Sequence, residues 1–144
     1  LQHVWEYRHD EIGYNYRLPN LNAALGCAQL EQLPAMLKAK RKLFQRYQSA
    51  FASLQGVTLM TEPENCQSNY WLQTLLLDVD QSDQRDDVLA VTNANKYMTR
   101  PAWILMDELP PFKDCPSMDL PMAIALSKRL INIPSSSVLA AEAA

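Results

Sequence analysis

The sequence predicts an α+β fold in which helices pack on a small, mainly antiparallel sheet. Three observations carry that prediction. Apolar residues recur at helical spacing through the first third of the chain after a short polar opening. Two β-prone runs then follow one another across a turn, with no helix between them. The remaining helical runs are segregated around those strands. At 144 residues the chain suits one compact domain with a real core.

Residues 1–18 lack sustained periodicity and are crowded with His, Tyr, Arg and Asp, which predicts an extended arm or loop. Pro19-Asn20 is a helix-start signal, because proline suits the first turn and asparagine can cap it. Leu21, Ala24, Leu25, Ala28 and Leu33 continue at helical spacing. The alanines around Gly26 and Cys27 predict close approach by another element. Pro34 interrupts the pattern and predicts the start of a second helix. There Met36, Leu37, Leu43, Phe44, Tyr47, Phe51 and Leu54 form an apolar stripe, and Lys38, Lys40, Arg41, Lys42 and Arg46 form a solvated face. Gly56 ends it.

Residues 57–61 and 70–77 read as strands, separated by turn chemistry at Glu62-Pro63-Glu64-Asn65. Acidic residues at 82–87 predict a helix N-terminus leading into Val88, Leu89 and Val91. Residues 99–103 are extended, since Pro101 disfavours helical geometry in Arg100. Trp71 and Trp103 are expected as core aromatics on strands. Residues 109–112 read as a loop, 119–129 as a helix, and 130–133 as a last short strand stopped by Pro134. The small, alanine-rich tail is expected to fray. The boundaries are therefore an arm at 1–18, a helical connection and small domain at 19–136, and a flexible tail at 137–144.

Composition excludes several function classes. A net charge of −3 gives no electrostatic reason for binding nucleic acid or an anionic membrane. No apolar run approaches the roughly 18–20 residues that span a bilayer. Residues 1–6 lack the pattern of a signal peptide, so a cytoplasmic location is expected. Cys27, Cys66 and Cys115 are odd in number and widely spaced, which fits reduced thiols. For Cys27 the expectation is a buried, inert thiol, not half of a Cys-His nucleophile pair. No metal-ligand spacing occurs, and three glycines cannot build a Walker loop or a GxGxxG turn. The first residue is not methionine, and the polar, aromatic opening looks like the middle of a longer protein.

The densest polar and aromatic cluster is HDEIGYNYRLPN at residues 9–20. Gly13 lets the backbone turn or approach a ligand. Asn15 offers two amide donors, and Arg17 is a charged fork suited to phosphate or carboxylate. On residue types alone this is either an anion-binding arm or a surface loop whose Arg17 pairs with Asp10 or Glu11. Arg100 either faces a ligand or braces a strand end. His9 reads as an ordinary polar residue of the arm, since nothing orients it.

Residues 9–46, HDEIGYNYRLPNLNAALGCAQLEQLPAMLKAKRKLFQR, resemble the DegT/DnrJ/EryC1/StrS family of pyridoxal-phosphate (PLP)-dependent aminotransferases, in which a GxNxR-type loop leads through an LPN-type turn into the helix joining two domains. Ser68-Asn69-Tyr70-Trp71, Thr99-Arg100-Pro101-Ala102-Trp103 and RLINIPSS at 129–136 resemble it too. The Arg-Pro-Ala-Trp stretch and Leu109-Pro110-Pro111-Phe112 look most like the branch that aminates 4-keto sugars on UDP.

The resemblance implies the small C-terminal domain of a fold-type I homodimer whose active sites lie between subunits. It implies that Asn15 reaches the PLP phosphate of the partner subunit, and that Arg17, with Tyr16 beside it, lies at the substrate mouth. Arg100 joins them if it faces the sugar nucleotide. The implied reaction moves an amino group from glutamate to a ketosugar nucleotide. The Schiff-base lysine, the aspartate facing the pyridine nitrogen and the main phosphate loop lie upstream in the family, so no catalytic residue is assigned here. The chain alone is expected to be inactive, to bind no PLP and to self-associate through faces meant for the large domain. The alternative is a stand-alone, non-catalytic dimerisation or binding module of the same fold.

Overall fold

A computed structural model of the chain describes residues 5, 7–16 and 18–140. Residues 7–16 are exposed and carry no regular secondary structure. Helix α1 then runs unbroken over Asn20–Phe51, 32 residues. Pro19 stands at its N-cap in an extended conformation, with no side-chain cap, so Asn20 opens the helix without capping it.

Pro34 lies inside α1 and does not begin a second helix. Proline removes one N–H and crowds the carbonyl four residues back. Leu30 and Pro34 are both exposed, so water can serve the freed carbonyl. The surrounding Ala, Leu, Gln and Met favour helix strongly enough to carry it through. Close approach at Gly26 is also absent, as nothing described lies within 4 Å of a Cβ built there.

The sheet contains β1 (Val57–Leu59), β2 (Gln73–Leu77), β3 (Arg100–Pro101) and β4 (Leu130–Ile133) in the order β1-β2-β4-β3. All neighbours are antiparallel. Gln73 stands opposite Ile133, Leu75 opposite Ile131, and Arg100 opposite Asn132. Gln73, Leu75 and Leu77 alternate as buried residues on β2, matched by Ile131 and Ile133 on β4. They pack with Phe44 of α1 and with Leu89 of α2 (Arg85–Ala94). Leu89 and Ile131 are wholly buried, each stabilising by about 2 kcal/mol. A short helix α3 (Pro121–Ser127) precedes β4.

The long strand expected at 70–77 starts only at Gln73. Before it, Ser68 and Asn69 fold the chain into a turn. The Ser68 hydroxyl accepts from the Tyr70 N–H at 3.0 Å, and the Asn69 side-chain oxygen accepts from the Trp71 N–H at 2.9 Å. Tyr70 takes φ 46°, and its ring stacks on Phe44 with centroids 4.2 Å apart. Gly56 (φ 81°) makes the turn from α1 into β1, where a side chain would meet Gln81 at 3.1 Å.

The segment expected to fray from Ser135 instead begins with ordered contacts. Ser137–Ala140 form a 3₁₀ turn against α1, Ala140 is buried, and Arg46 donates to the Leu139 carbonyl at 3.1 Å. Residues 141–144 lie outside the described residues.

Candidate ligand pocket at the sheet edge

Where β2 begins and β4 ends, the side chains of α1, β3 and the flanking loops enclose a cavity of about 470 Å³. Lys40 braces its floor. Its ammonium donates to the carbonyls of Ser135 at 2.6 Å, Trp71 at 3.2 Å and Tyr70 at 3.4 Å, and desolvation lowers its pKa. The expected solvated face is thus corrected at this position, and also at Arg41. The Arg41 guanidinium forks onto Glu62 at 2.8 and 3.2 Å and lies 5.1 Å from the Tyr70 ring centroid.

Ser135 ties the two central strands together at the pocket. Its hydroxyl donates to the Ile133 carbonyl and accepts from the Gln73 N–H, both at 2.7 Å. On the next strand Asn132 accepts from Thr74 at 2.8 Å and donates to the Pro101 carbonyl at 3.3 Å, pinning β3. That fixes Arg100, whose guanidinium lies 5.2 Å from the centroid of the Tyr7 ring of the arm.

Trp71 and Trp103 are not core aromatics. They are 63% and 64% exposed and stack on one another beside the cavity, with centroids 6.0 Å apart and planes at 24°. The turn at Ser68-Asn69 swings Trp71 off the strand before pairing begins, and β3 ends at Pro101, two residues short of Trp103.

Of the residues singled out in the sequence, Arg100 lines this pocket. Asn15 and Tyr16 do not: both are exposed on the arm, and Tyr16 contacts only Tyr14 among the described rings, at 6.4 Å. Arg17 lies outside the described residues. Lys40, Trp71 and Trp103 are the pocket residues that sequence reasoning missed. The signal available was the Ser-Asn pair just before Trp71, which is turn chemistry and argues against a strand there. Cys27 is exposed, as are Cys66 and Cys115, so the expectation of a buried Cys27 thiol is corrected. Among the described residues no cluster could hold a metal ion, and no helix is long and apolar enough to cross a membrane.

A domain of this topology, with an arm and a long helix leading into it, defines a class. Residues 2–144 match the model of the DegT/DnrJ/EryC1/StrS aminotransferase family, and the chain belongs to that family. It is 34% identical over 130 residues to GDP-perosamine synthase of Vibrio cholerae, covering 90% of this chain and 35% of the synthase. It is 41% identical over 97 residues to EpsN of Bacillus subtilis (strain 168), whose name assigns it provisionally to the pyridoxal phosphate-dependent aminotransferases. That match covers 67% of this chain and 24% of EpsN. The chain therefore spans about a third or less of the length of these relatives.

Solved structures agree on the fold. PseC of Helicobacter pylori, an aminotransferase involved in the biosynthesis of pseudoaminic acid, superposes with a TM-score of 0.76 at 17% identity, over 94% of this chain and 37% of its own. DesI, solved in the presence of its TDP-sugar product, gives 0.75 at 24% identity, over 81% and 30%.

Proposed function

We propose that this chain is the small-domain portion of a PLP-dependent aminotransferase that moves an amino group from glutamate to a 4-keto sugar linked to UDP. The observation that carries the proposal is family membership over nearly the whole chain, joined to a pocket at the sheet edge that presents the Arg100 guanidinium. In this reading Arg100 takes the negative charge of the sugar nucleotide, as a planar fork suits a phosphate group. Tyr16 and Arg17 of the arm complete the substrate mouth, and a second copy of the whole protein supplies the facing half of the site.

The fit to PLP is partial and instructive. Asn15 is exposed and makes no recorded hydrogen bond among the described residues, so its amide is available to a phosphate of a partner subunit. Lys40, the lysine whose pKa is lowered, is unsuited to hold the cofactor covalently, because backbone carbonyls surround its nitrogen. In this reading the covalent lysine belongs to another part of the protein, as the family resemblance implies, and this chain alone does not transaminate. When bound, PLP supplies the electron sink for amino-group transfer. What this chain supplies is a hydrogen-bond donor for the cofactor phosphate, a charged clamp and the shape of the substrate mouth.

The test is made in a protein carrying this chain together with a lysine-bearing large domain. Asn15→Ala should weaken PLP binding about tenfold, as expected for one lost hydrogen bond to a charged group, read from the cofactor's absorbance band. Among UDP-, GDP- and dTDP-linked 4-keto sugars, the UDP compound should react fastest with glutamate. Unaltered PLP affinity in the Asn15 variant would remove the arm's role, and a preference for GDP or dTDP would reassign the nucleotide.

A further inference from the structure

The chain contains three tryptophans, and all three border the single cavity described above. Trp71 and Trp103 leave nearly two thirds of their surface in water, an unfavourable disposition for the largest apolar side chain unless another ring covers it. The charge around them is equally uneven. The whole chain carries −3, yet among the described residues the cavity lining holds Lys40 and Arg100 and no Asp or Glu. Lys40 spends its donors on three carbonyls and so contributes potential more than contact. Arg100 has no hydrogen-bond or ion-pair partner among the described residues; its recorded contact is the face of Tyr7.

We propose that the Trp71–Trp103 pair is the stacking platform for a nucleobase, with Arg100 at its edge receiving the phosphate of the same nucleotide. The centroid separation of 6.0 Å decides how the base sits. A base inserted between two rings needs about 7 Å, two stacking steps of about 3.4 Å each. The base therefore lies on an open outer face of the pair and does not wedge it apart. Stacking of this kind tolerates any base, because every base has a π-face. A cavity of about 470 Å³ is within the range of small-ligand sites and suits a nucleotide head group. The ring's identity as a nucleobase rests on the sugar-nucleotide reading above, whereas the platform and the charge rest on the geometry alone.

The experiment uses the 144-residue chain and its own indoles as reporters, excited at the red edge of their band where nucleobases do not absorb. UMP and GMP should each quench tryptophan emission saturably. Ribose 5-phosphate, which has the charge without the ring, should neither quench nor compete. Trp71→Leu and Trp103→Leu should each weaken UMP about tenfold, the range of one lost base–aromatic stack. Because both side chains are exposed, thermal unfolding should be unchanged; Trp103→Phe, which keeps an aromatic face, should bind within about threefold of the native chain. Arg100→Leu should abolish the advantage of UMP over uridine. The proposal is overturned if no nucleotide gives a saturable signal, if ribose 5-phosphate competes as well as UMP, or if both leucine variants bind like the native chain. Transamination, measured in a protein that carries this chain together with a lysine-bearing large domain, is a separate readout: nucleotide binding without it would sink the functional reading and leave the platform standing, and transamination without binding would do the reverse.

Discussion

Glu62 accepts two hydrogen bonds from Arg41 and a third from the Ser68 N–H at 2.6 Å. The Arg41 hydrogen bond first, and the Ser68 N–H second, lower its carboxyl from an ordinary 4.5 to about 2. A carboxylate depressed in the folded state contributes stability that is fully present above its unfolded value and lost as pH falls through the folded one. The contribution of Glu62 should therefore be complete above about pH 4.5 and fade towards pH 2. Glu62→Gln should lower the melting temperature at pH 7 and flatten its fall across that acidic interval. A variant whose melting profile parallels the native one throughout would show that the contact carries no linked proton. Neither partner was visible in the sequence, where Glu62 read as one residue of a turn and Arg41 as a solvated cation. Residue type and spacing do not report a fork that closes over 21 positions.

At the scale of elements, α1 carries the clearest prediction. Its first half, from Asn20 to Pro34, contains no buried side chain, while its second half plants Leu43 and Phe44 in the core. Pro34 weakens the join by removing one backbone hydrogen bond, a local cost of about 3 kcal/mol relative to alanine. Pro34→Ala should slow hydrogen exchange at amides preceding position 34 by well over tenfold and leave global unfolding nearly unmoved, since the affected turns bury nothing. Unchanged exchange there would mean that the proline imposes no weak point. The same helix shows how far the sequence could be read. The apolar stripe from Leu43 to Phe51, the paired strands and the helix after Arg85 were legible because burial on one face imposes periodicity. The continuity of α1 was not, because an interior proline and a helix boundary leave the same local signature. The pocket tryptophans were not legible either. Their exposure depends on where strand pairing stops, and pairing is set between β2, β3 and β4 over distances in sequence that no local pattern encodes.

For the molecule as a whole, the distribution of apolar surface sets the outlook. Leu18, Leu21, Leu25 and Leu30 stand 62–81% exposed along the arm and the first half of α1. A monomer seldom leaves such a row uncovered, so sedimentation of the isolated chain should show self-association rising with concentration. A sharp monomer boundary at high concentration would contradict this. Most of α1 before Leu43 stands clear of the buried core, a reach of about 35 Å at the helical rise per residue. Lys40 and Arg41 sit beside the fulcrum of that rod, fastening it to three carbonyls and a carboxylate. A tilt of about 5° there would swing the tip by about 3 Å, roughly the length of one hydrogen bond. Aim at the far end of the pointer is thus set by two basic side chains at its pivot, and loosening either one misdirects residues it never touches.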